Sequence, residues 1–147
     1  MKLVIGGYAQ GKLDFVLSEN RLGDYCIYDG KLLDTEYFDT ESSHVELINE
    51  EQIQESVRNG KTVILNHFHK WMRANIKAGI NAEQEILDFI EKVPDCIVIS
   101  DEIGNGIVPL DSFEREYRER TGRILVKLAA KADEVVRVTC GIGQKIK

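Results

Sequence analysis

The residues best equipped for chemistry crowd the amino terminus. Leu3-Val4-Ile5 runs into Gly6-Gly7-Tyr8-Ala9-Gln10-Gly11-Lys12, a match to G-x-x-x-x-G-K directly after a short apolar strand. Glycines let such a backbone turn so that several N–H groups face one anion. A helix starting at the lysine adds its positive end, and the ammonium neutralises phosphate charge. The next position ordinarily carries a Ser or Thr hydroxyl that binds Mg²⁺. Here it is Leu13, which has no oxygen to offer. A carboxylate at the end of a second strand is the other usual metal-holding group, and the residue closing the run Thr62–Leu65 is the amide Asn66. The pattern predicts a phosphate cradle over residues 6–13 with a weak demand for Mg²⁺. The plainer reading is a Gly-rich turn with a surface lysine.

Other candidates lie further along. Asp101 and Glu102 follow the apolar run Cys96–Ser100 and could work as paired carboxylates or as substrate contacts, against a solvated turn as the plain account. His67 and His69, in NHFHKW, would share a face if extended and ligate a metal. The stronger expectation is that they open a helix, where a spacing of two points them to different sides, and sit at the rim of a pocket at the strand ends. Arg118 and Arg123 fall on the longest helix and read either as phosphate contacts or as surface ion pairs. The acidic set Glu41, Glu46, Glu50 and Glu51 reads as a solvated face.

Strands that must position these groups are expected at Lys2–Ile5, Tyr25–Tyr28, Thr62–Leu65, Cys96–Ser100 and Glu134–Thr139. Several are short continuous apolar runs, as in strands buried on both faces of a parallel sheet. Helices are expected between them. Glu50–Asn59 stops at Gly60, Phe68–Ala78 stops at Gly79, and Ala82–Lys92 precedes Val93. Ile53 and Val57 mark the buried face of the first of these, and Phe68, Trp71, Met72 and Ile76 mark a core stripe on the second. The longest helix starts near Asp111, with Glu114 completing a capping box, and buries Phe113, Tyr117, Ile124 and Leu128 as far as about Ala132. Asp29–Asn49 lacks a period and reads as a hairpin or a loop.

The whole chain bounds the answer. At 147 residues it is expected to form a single α/β domain over 1–147. A net charge of −6 argues against nucleic acid as a partner. No apolar run is long enough to span a membrane and no leader precedes the first strand, so a cytoplasmic protein is expected. Cys26, Cys96 and Cys140 are odd in number with no C-x-x-C, consistent with reduced thiols that are buried or half-buried.

The carboxy-terminal third carries a longer signal. Residues 97–147 hold Glu102-Ile103-Gly104-Asn105-Gly106-Ile107-Val108-Pro109, then Tyr117-Arg118 and Thr121-Gly122-Arg123. Leu128-Ala129-Ala130, Ala132-Asp133-Glu134-Val135 and Gly141-Ile142-Gly143-Gln144-Lys145-Ile146-Lys147 follow in order. With the glycines and Lys12 at the front, the chain resembles the adenosylcobinamide kinase/adenosylcobinamide-phosphate guanylyltransferase family of cobalamin biosynthesis. The resemblance implies a P-loop, RecA-like α/β fold, its mostly parallel sheet covered by helices on both faces, in a small homo-oligomer. It implies phosphorylation of a corrinoid hydroxyl from ATP or GTP, then GMP transfer through a covalent histidine. On this reading Gly6, Gly7, Tyr8, Ala9, Gln10, Gly11, Lys12 and Leu13 bind nucleotide, and Lys12 and Glu102 are catalytic. Asp101, Glu102, Gly104, Gly106, Arg118 and Arg123 touch substrate, and no residue is assigned as a metal ligand.

Departures from the family pattern are concentrated where chemistry would occur. Besides Leu13 and Asn66, Leu125 and Val126 replace an Asn-Gln pair, and Asp29–Asn49 is shorter than the segment that bears the family's histidine. His44 lies in that segment, but ESSHVEL does not match the motif. The expectation is a shortened, divergent member without guanylyl transfer. The alternative is a catalytically degenerate nucleotide- or corrinoid-binding protein acting as a pathway partner or regulator.

Overall fold

The computed structural model describes residues 1–19, 23–33, 45–46 and 50–147. In chain order it runs β1 (Lys2–Gly6), α1 (Lys12–Leu17), β2 (Tyr25–Asp29), a 3₁₀ turn (Gly30–Leu33), β3 (Val45–Glu46) and α2 (Glu50–Arg58). There follow β4 (Thr62–Asn66), α3 (Phe68–Lys77), α4 (Ala82–Lys92), β5 (Ile97–Asp101), α5 (Ser112–Lys131), β6 (Glu134–Thr139) and β7 (Ile142–Lys145). The strands form one sheet in the order β3-β2-β4-β5-β1-β6-β7. Every pairing is parallel except β6 with β7.

The strand period of two divides the sheet into faces. Leu3, Val63, Leu65, Val98 and Val135 point to the side where Ile53, Phe68, Met72, Ile86, Ile124 and Leu128 of α2 to α5 pack. Val4, Ile64, Ile97, Ile99, Val136 and Val138 point to the other side, against Val16 of α1, with Leu13, Phe15, Leu17 and Ile27 at the margin. Leu13 therefore serves the core beneath α1. The same alternation carries one step beyond each apolar strand. Asp29 follows Ile27, Asn66 follows Ile64 and Asp101 follows Ile99, each by two residues, so all three emerge on the α1 face at the carboxy-terminal edge.

All five anticipated strands form, each within a residue of its expected limits, and so do the four long helices. Gly60 and Gly79 close α2 and α3 in the left-handed region, at φ 71° and 72°. Asp111 caps α5 by accepting from the Glu114 N–H at 2.9 Å, while the Glu114 carboxylate accepts from Arg73 on α3. Three expectations need correction. Val57 is exposed rather than facing the core, and so is Cys140 at the β6–β7 turn. Within Asp29–Asn49, β3 pairs parallel to β2, which a hairpin would not allow; His44 and Glu41 lie outside the described residues.

β7 had no apolar signal because its side chains are mostly exposed. It is held by its ladder to β6 and by Phe15, whose ring lies where a side chain at Gly143 would stand.

Gly30 matters most for the site. A Cβ there would overlap the His67 carbonyl oxygen and stand 2.7 Å from the Trp71 amide nitrogen, so the 3₁₀ turn presses directly on the start of α3. Gly30→Ala is expected to cost about 2–3 kcal/mol, because the atoms in the way are backbone and cannot swing aside. Urea unfolding checks this through a lower midpoint at unchanged slope.

Candidate functional site

The loop after β1 turns through left-handed conformations at Ala9 (φ 54°) and Gly11 (φ 74°). Gly11 ends the loop as the N-cap of α1, and its carbonyl accepts from the Phe15 N–H. This folds Lys12 back over the loop. Its Nζ donates to the Gly7 carbonyl at 2.7 Å and pairs with Asp101 Oδ1 at 2.6 Å. Both side chains are almost fully buried, at 8% and 10% exposure.

The turn between β6 and β7 braces the loop from outside. The Cys140 N–H donates to Gln10 Oε1 at 2.6 Å and the Gly141 N–H to the Gln10 carbonyl at 2.9 Å. Gln10 is thus a loop-fixing residue, while Tyr8 stands 81% exposed.

Asp101 also meets α3. Its backbone N–H donates to His69 Nδ1 at 3.1 Å, and its Oδ2 lies 3.5 Å from His69 Nε2. An accepting Nδ1 requires the proton on Nε2, directed at the carboxylate. Burial outweighs the attraction of Asp101 and pushes the His69 imidazole down to about 4, with His67, Lys70 and Lys12 adding to the effect. His69 is therefore neutral at pH 7.

A second cluster adjoins the first. The Asp29 carboxylate accepts from His67 Nδ1 at 2.7 and 2.9 Å, from Asn66 Nδ2 at 2.8 Å and from the Lys31 N–H at 2.9 Å. Burial by itself would raise this carboxyl, but the bonds from His67, Lys31 and Asn66 outweigh it and hold Asp29 below the usual carboxylate range. His67 is the N-cap of α3 in the left-handed region, at φ 49°. That turn brings the two histidine rings edge to face, 5.9 Å apart. The helical spacing expected to separate them does not apply, because His67 precedes the helix.

The remaining predicted residues are elsewhere. Glu102 follows Asp101 and so leaves on the opposite face, where it pairs with Arg137 at 2.9 Å. With Gly104, Leu3, Ile5, Leu125 and Ala129 it lines a mostly apolar cleft of about 330 Å³ beneath α5. Gly106 lies in the exposed loop ahead of α5. Arg118 donates to the Ile107 carbonyl at 2.9 Å, and Arg123 pairs with Glu119 one helical turn away. The structure thus gathers Asp101 to Lys12 and leaves Glu102, Arg118 and Arg123 on the far side of the sheet.

A family model described as CobU, cobinamide kinase / cobinamide phosphate guanyltransferase, matches residues 36–146. The chain belongs to this family. Two bifunctional adenosylcobalamin biosynthesis proteins CobU align with it. The one from Salmonella typhimurium is 39% identical over 84 residues, 56% of this chain and 46% of that protein. The one from Escherichia coli K12 is 39% identical over 80 residues, 53% and 44% respectively. The matched part of the chain thus spans about half the length of either relative. A chain from a structural study of a Pyrococcus horikoshii OT3 protein covers 100% of this chain and 85% of its own, at 14% identity and a TM-score of 0.49, a likeness too distant to argue from.

The family match begins at residue 36, beyond the loop, so the loop rests on its own geometry in this cobinamide kinase/guanyltransferase family member. The donors around Lys12 do not fit a protein-held Mg²⁺. Leu13 is apolar, Asn66 donates to Asp29, Asp29 accepts from three groups and Asp101 is paired with an ammonium. Asp29 is the part of the site that the sequence reading missed, while His67 and His69 stand at the strand ends as expected for a pocket rim. The available signal was three strands each ending on a polar residue in phase with the α1 face.

His69 generates a pH prediction. The unfolded chain protonates this imidazole near its usual 6.5, the native protein only near 4, so the unfolded state binds more protons between those values. Stability contributed by His69 is complete above about 6.5 and is lost as pH falls toward about 4, by on the order of 3 kcal/mol. His69→Gln is expected to flatten this slope in urea midpoints measured across that range. An unchanged slope would mean the ring is charged in the native protein.

Proposed function

We propose that this chain binds a nucleoside triphosphate, ATP or GTP, on the loop of residues 6–13 and uses it on a corrinoid hydroxyl in cobalamin assembly. The observation that carries the reading is the burial of the Lys12 ammonium against the Gly7 carbonyl inside a loop that follows β1. An ammonium held on a carbonyl of the loop suits the β- and γ-phosphates. Gly6 to Leu13 contribute the loop, and Asp101 holds the lysine in register. Family membership supports the corrinoid as acceptor. The exposed Ile107, Val108 and Leu110 support self-association as part of the same reading.

One feature favours a second reading, a nucleotide- or corrinoid-binding partner without turnover. The Asp101 carboxylate lies 2.6 Å from Lys12 Nζ, so phosphate must compete with a fixed anion for the lysine's charge. Turnover decides between the two readings.

Calorimetric titration with ATP and GTP tests the proposal. Lys12→Ala is expected to weaken triphosphate binding at least tenfold, about 1.4 kcal/mol. Chelating Mg²⁺ is expected to change the affinity by less than that, since no side-chain oxygen stands at position 13. No effect of Lys12→Ala would return the loop to a structural turn. Incubation with α-labelled GTP is expected to leave no covalent label, because no histidine matches the family's nucleophile motif. Stoichiometric acid-labile label lost in His44→Ala would overturn that expectation.

A further inference from the structure

His67 and Asp29 are not used by the phosphate loop, yet they are built as a pair. Asp29 is ionised and accepts from three donors, among them the His67 ring at 2.7 and 2.9 Å. Nδ1 is therefore the protonated nitrogen, and in the neutral ring Nε2 carries the lone pair. Among the described residues Nε2 has no partner, and 23% of the side chain is exposed against 13% for Asp29. The ring cannot readily turn over. Both carboxylate oxygens hold it, and Asn66 and Lys31 hold the carboxylate. The backbone beneath it is also fixed, with its carbonyl accepting from the Lys70 and Trp71 amides and Gly30 pressed against it.

Position completes the case. His67 stands 5.9 Å from the His69 ring, and His69 meets the carboxylate that pairs with Lys12. The half-buried His67 ring is thus linked through His69 and Asp101 to the lysine that would hold the transferred phosphate. His69 cannot serve instead, since its Nδ1 accepts from the Asp101 amide and its Nε2 faces the Asp101 carboxylate in a buried site.

We infer that His67, oriented by Asp29, is the general base that takes the proton from the acceptor hydroxyl during phosphoryl transfer. This rests on the nucleotide reading above. The acceptor oxygen bonds to the γ-phosphorus as its proton passes to Nε2, and the bond from that phosphorus to the β–γ bridging oxygen breaks. The nucleoside diphosphate leaves with that electron pair, and the imidazolium then returns its proton to solvent. His67 touches the reacting hydroxyl and is catalytic in that sense, while Asp29 is a positioning residue that fixes the tautomer.

The test measures phosphate transfer from γ-labelled ATP or GTP to cobinamide alongside nucleotide affinity, on the full chain. His67→Ala is expected to lower kcat about 100-fold or more, within the usual range for a lost general base. Nucleotide Kd should stay within threefold, and added imidazole should restore part of the rate. Asp29→Asn is expected to lower kcat at unchanged KM for nucleotide. A kcat within threefold of the unaltered protein in His67→Ala overturns the inference. So does a parallel loss of rate and affinity that imidazole does not relieve. Nucleotide binding without any Lys12-dependent transfer overturns the base and leaves the binding site standing, whereas no Lys12-dependent binding removes both.

Discussion

A buried ammonium must be answered, and the site is organised around that requirement. Lys12 is 8% exposed, so its charge has lost most of its water. The desolvation cost is several kcal/mol and is offset only by close, well-directed partners. The Gly7 carbonyl supplies one and Asp101 the other. Removing either Lys12 or Asp101 alone leaves a stranded charge, so loop, α1 and the end of β5 are bound to one another more firmly than their apolar contacts require. His69 follows from the same constraint. It is neutral because a third charge in that pocket would be worse solvated still.

The second cluster obeys a similar logic with a different outcome. Asp29 is ionised because three donors converge on it, and one of those donors is a histidine ring. The carboxylate thereby fixes the ring's tautomer and leaves one nitrogen uncommitted. In the first cluster all the polar atoms of Asp101 and His69 look inward. In the second, His67 Nε2 has no partner among the described residues.

These clusters occupy the place where the motif lacks its usual oxygens. Leu13 has joined the core beneath α1, and Asn66 has become a donor to Asp29. The family match over residues 36–146 includes the ends of β4 and β5 but not the loop after β1. Electrostatic holding of phosphate needs only the loop and lysine, so it tolerates these exchanges better than metal-dependent steps do.

How much could be read without coordinates follows from the range of the interactions involved. Strands and helices were legible because burial on two faces or one stripe leaves a local period, and capping at Gly60, Gly79 and Asp111 is a local event. β7 was not, because its stability comes from the β6 ladder and the Phe15 ring rather than from its own apolar residues. The loop was legible because G-x-x-x-x-G-K is contiguous. Its electrostatic partners were not: Asp101 comes from 89 positions beyond Lys12 (101 less 12), and Glu102 beside it looked equally suitable. Choosing between two adjacent carboxylates needs the face on which each emerges, which the strand period suggests and only the packed sheet decides. The sequence by itself determined the fold class, the family, the glycine-rich turn after β1 and the absence of side-chain oxygen at position 13 and of a carboxylate at position 66. Only the tertiary structure decided that Asp29 meets His67 and that Asp101 meets Lys12, because charge pairing acts through space between strands that the chain places far apart.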